Sequence, residues 1–344
     1  MQLDEIFWVT IVVIFSVSII SAIVRTRQKD KCLRLLHDYH VTLIHKDGKV
    51  TWGDLFVSSV GVELMFDAVY ETGRSIPKSS ALMFPDDLVH CLAMCRTVHA
   101  LTKKERKKRH RQVRRTFRPG PIRRISRWLQ SLLNTIRDAF HRTIGVLATS
   151  FGRAGAVGAA LQSQKGTIEE LGGTLINVAG HAYEPLLERH IGRPVVLEIK
   201  NPEGAAAPFT ELPGYLVEYT QNYLAVFNVA QDPLESFDLE IADGITHASF
   251  DLSYQEKEIV LASRDEEPLI IRRVSTDTGV SDLSVLLLPG AKLPLHRDGD
   301  QKLTVSIERV RTIDVVCPRA TARIRFGSDK TRQRSEWFGR APGV

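Results

Sequence analysis

The residues best suited to do chemistry lie together in one basic stretch near the middle of the sequence. Between Lys103 and Arg127 there are thirteen lysines and arginines and a single acid, Glu105. The whole chain has a formal net charge of only +6, so the basic charge is a local feature. This pattern predicts a binding site for anionic lipid or another polyanion. The candidate residues are Lys103, Lys104, Arg106, Lys107, Lys108, Arg109, Arg111, Arg114, Arg115, Arg118, Arg123, Arg124 and Arg127.

An apolar pattern begins in the same stretch, after the break at Pro119-Gly120-Pro121. Apolar residues recur at spacings of three and four over residues 122–147, which predicts an amphipathic helix. A helix with cationic flanks and an apolar stripe is typical of insertion into a membrane surface. The residues expected to insert are Ile125, Trp128, Leu129, Leu132, Ile136 and Phe140.

Two other interpretations of the basic stretch stay open. Nucleic-acid binding is less favoured, because Phe117 and Trp128 are the only aromatic residues there that could stack on bases. A solvated helix, or one that binds a protein partner, is the third interpretation.

The rest of the sequence indicates no enzyme. It contains no phosphate-binding loop, dinucleotide-binding glycine motif, HExxH or GxSxG. Cys91 and Cys95 are spaced CxxxC in a segment, 85–101, that we expect to be helical, and we interpret all four cysteines as reduced and structural. We therefore predict no catalytic residue, no metal site and no cofactor.

The N-terminus predicts a membrane anchor. Residues 6–24 contain no charge and no proline, and nineteen residues of helix match the thickness of a bilayer core. Acids precede this segment and four basic residues follow it, at positions 25, 27, 29 and 31. The positive-inside rule then predicts a single-pass protein of the bacterial inner membrane, with its N-terminus outside and its body in the cytoplasm.

Two regions after the anchor share one order of elements. Each has a helix, a strand, a polar turn, a strand with a glycine two residues before a leucine, and an apolar strand. The glycines are Gly53 and Gly214, and a glycine inside a strand marks a sharp bend. We interpret the two regions as an internal structural repeat.

This repeat, with Gly48 and Gly53 in the pattern xGxxxxGxL, resembles the Sm-like small β-barrel. The resemblance implies a helix before a bent five-stranded sheet, and subunits that pair their edge strands into rings. The family's Asp-x-x-x-Asn loop for RNA bases is replaced here by residues 58–61, Ser-Ser-Val-Gly. The whole chain is also similar in layout to uncharacterised single-pass bacterial membrane proteins.

The predicted fold class is α+β: an N-terminal transmembrane helix, two Sm-like modules, a central basic amphipathic helix and a C-terminal antiparallel β-sandwich. The predicted segments are an anchor at 1–28, a first module at 29–102, a basic helical segment at 103–151, a linker at 152–166, a helix with a second module at 167–232, a sandwich at 233–327 and a disordered tail at 328–344. The predicted function is a non-catalytic, homo-oligomeric membrane scaffold that organises the bilayer or recruits a protein partner. The alternatives are a membrane-tethered nucleic-acid-binding protein and a channel-like ring.

Overall fold

The computed structural model describes residues 29–70, 77–117, 184–228, 235–241, 249–255, 258–277, 279–296, 302–309 and 312–327. Strands hold 59% of these residues and helices 14%. The chain divides into two compact units, and nearly all described residues belong to the unit formed by 29–117 and 189–344.

The described helices are few and short. A 3₁₀ helix covers Leu33–Leu36, and the α-helices are α1 (Pro85–Leu88), α2 (Lys103–Phe117) and α3 (Pro185–His190). The strands are β1 (Tyr39–His45), β2 (Val50–Val57), β3 (Val62–Tyr70), β4 (Lys78–Met83), β5 (Cys91–Thr97), β6 (Pro194–Lys200), β7 (Phe209–Tyr219), β8 (Tyr223–Phe227), β9 (Glu235–Ile241), β10 (Phe250–Gln255), β11 (Glu258–Ser263), β12 (Leu269–Thr276), β13 (Gly279–Leu287), β14 (Lys292–His296), β15 (Leu303–Arg309), β16 (Ile313–Pro318) and β17 (Ala322–Gly327).

Ten strands form one sheet whose strand order contains a repeat. The order is β17-β6-β7-β8-β16-β5-β1-β2-β3-β4, and neighbouring strands are antiparallel. The first half-sheet consists of β1 to β5, in the order fifth, first, second, third, fourth. The second half-sheet consists of β6, β7, β8, β16 and β17, which stand in the same relative order. The two half-sheets join where β5 pairs with β16.

Glycines allow close approach of a neighbouring strand at equivalent points of both half-sheets. Gly53 in β2 has φ +152°, and a Cβ atom there would lie 2.0 Å from the carbonyl oxygen of Met65. At Gly214 in β7, a Cβ atom would lie 2.6 Å from a methyl group of Val226. In both places a neighbouring strand crosses too closely for a side chain, so the sequence must supply glycine.

The remaining strands form two smaller sheets between β8 and β16. One has the order β10-β11-β14 and the other β13-β12-β15-β9. Burial alternates along β11 and β15, so each strand has one buried face: Ile259, Leu261 and Ser263 in β11, and Leu303, Val305 and Ile307 in β15. This region is therefore an insertion into the second half-sheet.

Several predictions about the fold are wrong. The described residues are mainly β-sheet, not α+β. The segment predicted as a helix from 85 to 101 is the short α1 followed by β5, so Cys91 and Cys95 lie in a strand. The predicted sandwich also ends too late, because β16 and β17 belong to the ten-stranded sheet. Strand pairing over such sequence separations leaves no local signal.

The prediction of membrane topology is contradicted as well. Among the described residues, none of the helices has the length and apolar character needed to cross a bilayer. We therefore withdraw the assignment to the bacterial inner membrane as a single-pass protein with an amphipathic membrane helix. The predicted span at 6–24, the amphipathic helix at 122–147, the linker and the tail lie outside the described residues.

Candidate functional site

Helix α2 contains all the described residues of the basic stretch, and a capping box fixes its start. The Oε2 atom of Glu105 accepts hydrogen bonds from the backbone N–H of Thr102, at 2.8 Å, and from its hydroxyl group, at 2.6 Å. The backbone N–H of Glu105 in turn points to the Thr102 hydroxyl at 3.4 Å. Glu105, the single acid of the helix, thus caps the helix N-terminus. Its negative charge also interacts favourably with the positive end of the helix dipole.

One face of α2 packs on the second half-sheet. Val113 and Phe117 form a small apolar cluster with Val217 of β7 and Phe227 of β8. The ring of Phe117 meets the ring of Tyr215 edge to face, with centroids 5.1 Å apart. These apolar contacts fix which side of the helix faces solvent.

Buried charges provide a second attachment, at the joint of the two half-sheets. Asp314 of β16 lies opposite Arg96 of β5, and both side chains are fully buried. The carboxylate accepts hydrogen bonds from Nε of Arg96 at 3.0 Å and from its Nη2 atom. Arg109 of α2 donates to the same carboxylate from Nε at 2.6 Å and from Nη2 at 2.7 Å. We call Arg96, Arg109 and Asp314 the buried triad.

The triad holds two positive charges and one negative charge, and its surroundings compensate the excess. Arg96 donates to the carbonyl oxygen of Leu35 at 3.2 Å, and Arg109 to that of Asn228 at 2.8 Å. The Arg96 guanidinium also lies 4.0 Å from the centroid of the Tyr39 ring. Carbonyl dipoles and an aromatic face both stabilise a cation that has left water.

The triad keeps Asp314 ionised. Burial by itself would raise the pKa of this carboxyl, but the guanidinium groups of Arg109 and Arg96 outweigh burial and hold the pKa below its ordinary value. Because its partners occupy the carboxylate, Asp314 is suited to packing rather than to proton transfer. The triad therefore ties α2 to both half-sheets.

The structure divides the predicted polyanion-binding residues into three groups. Arg109 is buried in the triad, and Lys108 donates to the carbonyl oxygen of His37 at 2.7 Å and to Asp38 at 3.2 Å. Arg106 is exposed but donates to the carbonyl oxygen of Leu101 at 3.2 Å. The exposed residues of α2 on the opposite side are Lys103, Lys104, Lys107, Arg111, Arg114 and Arg115.

The third group consists of predicted binding residues that follow α2 in the sequence. Arg118, Arg123, Arg124 and Arg127 lie outside the described residues, as do the residues predicted to insert into a membrane, which are Ile125, Trp128, Leu129, Leu132, Ile136 and Phe140.

The described part of the chain gives no sign of a metal site, and its cysteines are unreactive. Within that part, no group of three histidine, cysteine or acidic side chains has the geometry to hold a metal ion. Cys32, Cys91, Cys95 and Cys317 are buried free thiols, and burial raises the pKa of each. A buried thiol with a raised pKa is a poor nucleophile.

Reasoning from the sequence missed Arg96 and Asp314. Both interrupt strands that are otherwise almost entirely apolar, in the sequences CLAMCRT and IDVVCP. A lone charge in such a strand signals a buried partner, since unpaired charges are rarely buried. The sequence alone cannot supply the pairing, because 218 residues separate Arg96 from Asp314.

The edges of the ten-stranded sheet form a second candidate surface. Strand β4 ends the order on one side and β17 on the other. Leu82 of β4 is 65% exposed and Phe326 of β17 is 60% exposed.

Comparison of the chain with protein-family models, with curated proteins and with solved structures finds no match.

Proposed function

We propose that the protein is a non-catalytic scaffold that assembles with copies of itself through the two edges of the ten-stranded sheet. The pairing of β5 with β16 carries this proposal. There, the fourth strand of the second half-sheet pairs with the fifth strand of the first. Strand β4 is the fourth strand of the first half-sheet, and β17 is the fifth strand of the second. They therefore correspond in position to β16 and β5, but neither has a neighbour on its outer side among the described strands.

The repeat predicts which residues would face each other between copies. Gly53 in β2 and Gly214 in β7 occupy equivalent positions, opposite Val41 of β1 and Val195 of β6. Two residues after each glycine, a leucine begins a row of cross-strand pairs. In the first half-sheet this row runs from Leu55 through Leu64 to Ala81.

The equivalent row in the second half-sheet runs from Leu216 through Val226 to Val315. Ala81 therefore corresponds to Val315, which faces Cys95 across the internal joint.

The other side of the joint is matched in the same way. Cys95 faces Thr42 of β1, and the equivalent of Thr42 in β6 is Val196, which faces Phe326. Phe326 therefore corresponds to Cys95. If copies repeat the internal joint, Ala81 of one copy lies opposite Phe326 of the next.

Three properties of the edges support this assembly. An unpaired strand presents free backbone N–H and C=O groups, which pair readily with another strand. Each edge carries an exposed apolar side chain, Leu82 or Phe326, that a neighbouring strand would cover. The edges differ from each other, so the contact is head-to-tail and produces rings or filaments instead of isolated dimers.

Cross-linking tests the register directly. Opposite Cα atoms in antiparallel strands lie about 4.5–5.5 Å apart, within the range that a disulfide bridges. We expect the variant A81C/F326C to form a ladder of covalent oligomers under mild oxidation, followed by non-reducing electrophoresis. The native thiols are buried and should stay silent.

The matched control moves one cysteine three residues along β17. At about 3.3 Å per residue, A81C/R323C places its thiols too far apart to bridge in the proposed register. Light scattering on the unmodified protein gives the mass in solution. A monomeric mass, together with equal cross-linking of the two variants, would overturn the proposal.

A further inference from the structure

The side of α2 that faces solvent has an unusual composition. Its exposed residues are Lys103, Lys104, Lys107, His110, Arg111, Arg114 and Arg115, with no apolar or acidic side chain among them. We call these residues the cationic face. Val113 and Phe117, the apolar residues of the helix, are buried against the sheet.

The cationic face is fixed in orientation. Arg109 lies on the opposite side of the helix and is bound to Asp314, while Lys108 is bound to the loop before β1. The helix therefore cannot roll to expose its apolar side without breaking the buried triad. Any partner must be recognised by positive charge alone.

This composition argues against two classes of partner. Helices that bind membrane surfaces bury an apolar face among the lipids, and α2 has none to offer. Protein interfaces have centres that are rich in aromatic residues and poor in charge, whereas the cationic face has three lysines and no apolar side chain.

The dimensions suit a third class, a phosphate backbone. Lys103, Lys107, Arg111 and Arg114 follow one another at steps of three and four residues, so they form a row along the helix. At 1.5 Å per residue the row is about 16 Å long. Each strand of duplex DNA carries a phosphate every 3.4 Å or so along the duplex axis, so a row of this length extends past several phosphates. Lys104 lies beside this row and supplies a fifth cation.

We infer that the cationic face of α2 binds the phosphate backbone of double-stranded DNA without sequence preference. Lysine and arginine contacts to phosphate supply the affinity of such binding, and no stacking aromatic residue is needed. The inference does not depend on the proposed self-association, because α2 contributes no residue to β4 or β17.

The test is a salt titration of the full-length chain. Fluorescence anisotropy would follow binding to a labelled mixed-sequence duplex across a series of potassium chloride concentrations. Each phosphate contact contributes about 0.9 to the slope of log K against log salt, so five contacts give a slope near −4.5. We expect K107A/R111A/R114A to bind more weakly and to reduce the magnitude of the slope by about 2.7.

A charge-matched control separates α2 from the overall charge of the protein. K200A/K292A/K302A also removes three exposed lysines, all remote from α2 in sequence, and should keep the slope of the unmodified protein. All six substitutions are at exposed sites, so the unfolding midpoints should stay equal and lost binding cannot be ascribed to misfolding.

Three results would overturn the inference. The first is no duplex binding at low salt, and the second is an equal change of slope in the two triple variants. The third is binding to phosphatidylserine vesicles, but not to the duplex, that is lost in K107A/R111A/R114A. That result would assign the cationic face to a membrane surface.

Discussion

Replacing Asp314 by asparagine should be the most damaging single substitution at the joint between the half-sheets. The change keeps the shape of the side chain but removes the only negative charge of the buried triad. Arg96 and Arg109 would remain in place as cations. Three of their four hydrogen bonds go to Oδ2, where the amide oxygen could still accept them, but an NH₂ group in place of Oδ1 cannot accept the bond from Nη2 of Arg109.

The burial of the triad sets the size of the effect. Asp314 and Arg96 have no exposed side-chain surface, and the Arg109 side chain is 10% exposed. Removing one partner of a buried ion pair costs about 3–5 kcal/mol, because the remaining charge stays desolvated. A domain is stable by only about 5–15 kcal/mol, so D314N should bring the fold close to unfolding.

Urea denaturation followed by circular dichroism would measure the free energy of unfolding. The matched control is D282N, which breaks the exposed pair of Arg273 and Asp282, at 2.8 Å, in the insertion. An exposed pair contributes at most about 1 kcal/mol. We expect a large fall in the urea midpoint for D314N, a small one for D282N, and an unchanged denaturant slope in both.

Lowering the pH should reduce the difference in stability between the unmodified protein and D314N. The pKa of Asp314 is lowered in the folded protein, so its stabilising contribution is complete above the ordinary aspartate pKa of about 4. The contribution is lost as the pH falls from there through the folded pKa. The gap between the unmodified protein and D314N should therefore be constant near neutrality and should narrow below about pH 4.

A loss below about 1 kcal/mol for D314N would refute this reasoning, since it would mean that water or a rearrangement compensates the two arginines. The triple replacement R96M/R109L/D314L provides a second check. It removes all the buried charges together, so it should restore most of the stability that D314N loses. A triple variant as unstable as D314N would show that packing, not unpaired charge, causes the loss.

Two further predictions concern local geometry and reactivity. G53A should destabilise the fold by more than 2 kcal/mol or so, because its Cβ atom would lie 2.0 Å from the carbonyl oxygen of Met65. G279A, which has open space around its Cβ atom, is the control, and equal urea midpoints for the two would contradict the prediction. The native thiols should resist a disulfide reagent at pH 8 until urea is added, since burial raises the pKa of Cys91 to about 12. Rapid labelling of the folded protein would contradict this prediction, because it would show that β5, the strand of Cys91, opens without urea.

Local patterns predicted individual strands well, because strand signals are short in range. The Asp47-Gly48 turn between β1 and β2 could be predicted from the sequence, and Gly53 was recognisable as a special position within β2, where the neighbouring strand approaches closely. The segment 85–101 was predicted incorrectly because Cys91, Leu92, Met94 and Cys95 fit both periods. A strand that is buried along its whole length does not alternate.

Relations between distant segments could not be predicted. The sequence indicates short strands at 312–316 and 320–326 but not that they complete a half-sheet begun more than a hundred residues earlier. The same limit applies to the candidate site. The charge of α2 was clear from its composition, but which cations face solvent depends on Asp314, 205 residues after Arg109.

The insertion between β8 and β16 also has a consequence for how the chain is made. During synthesis from the N-terminus, β1 to β5 emerge early and can pair, as can β6, β7 and β8. The two strands that complete the second half-sheet are the last described elements of the chain. Until they leave the ribosome, Arg96 and Arg109 have no counter-ion, and the β5 edge has no neighbour. Folding of the ten-stranded sheet is therefore completed only after β16 and β17 have been translated, so a chain terminated before β16 would expose an unpaired strand edge for chaperones and proteases to recognise.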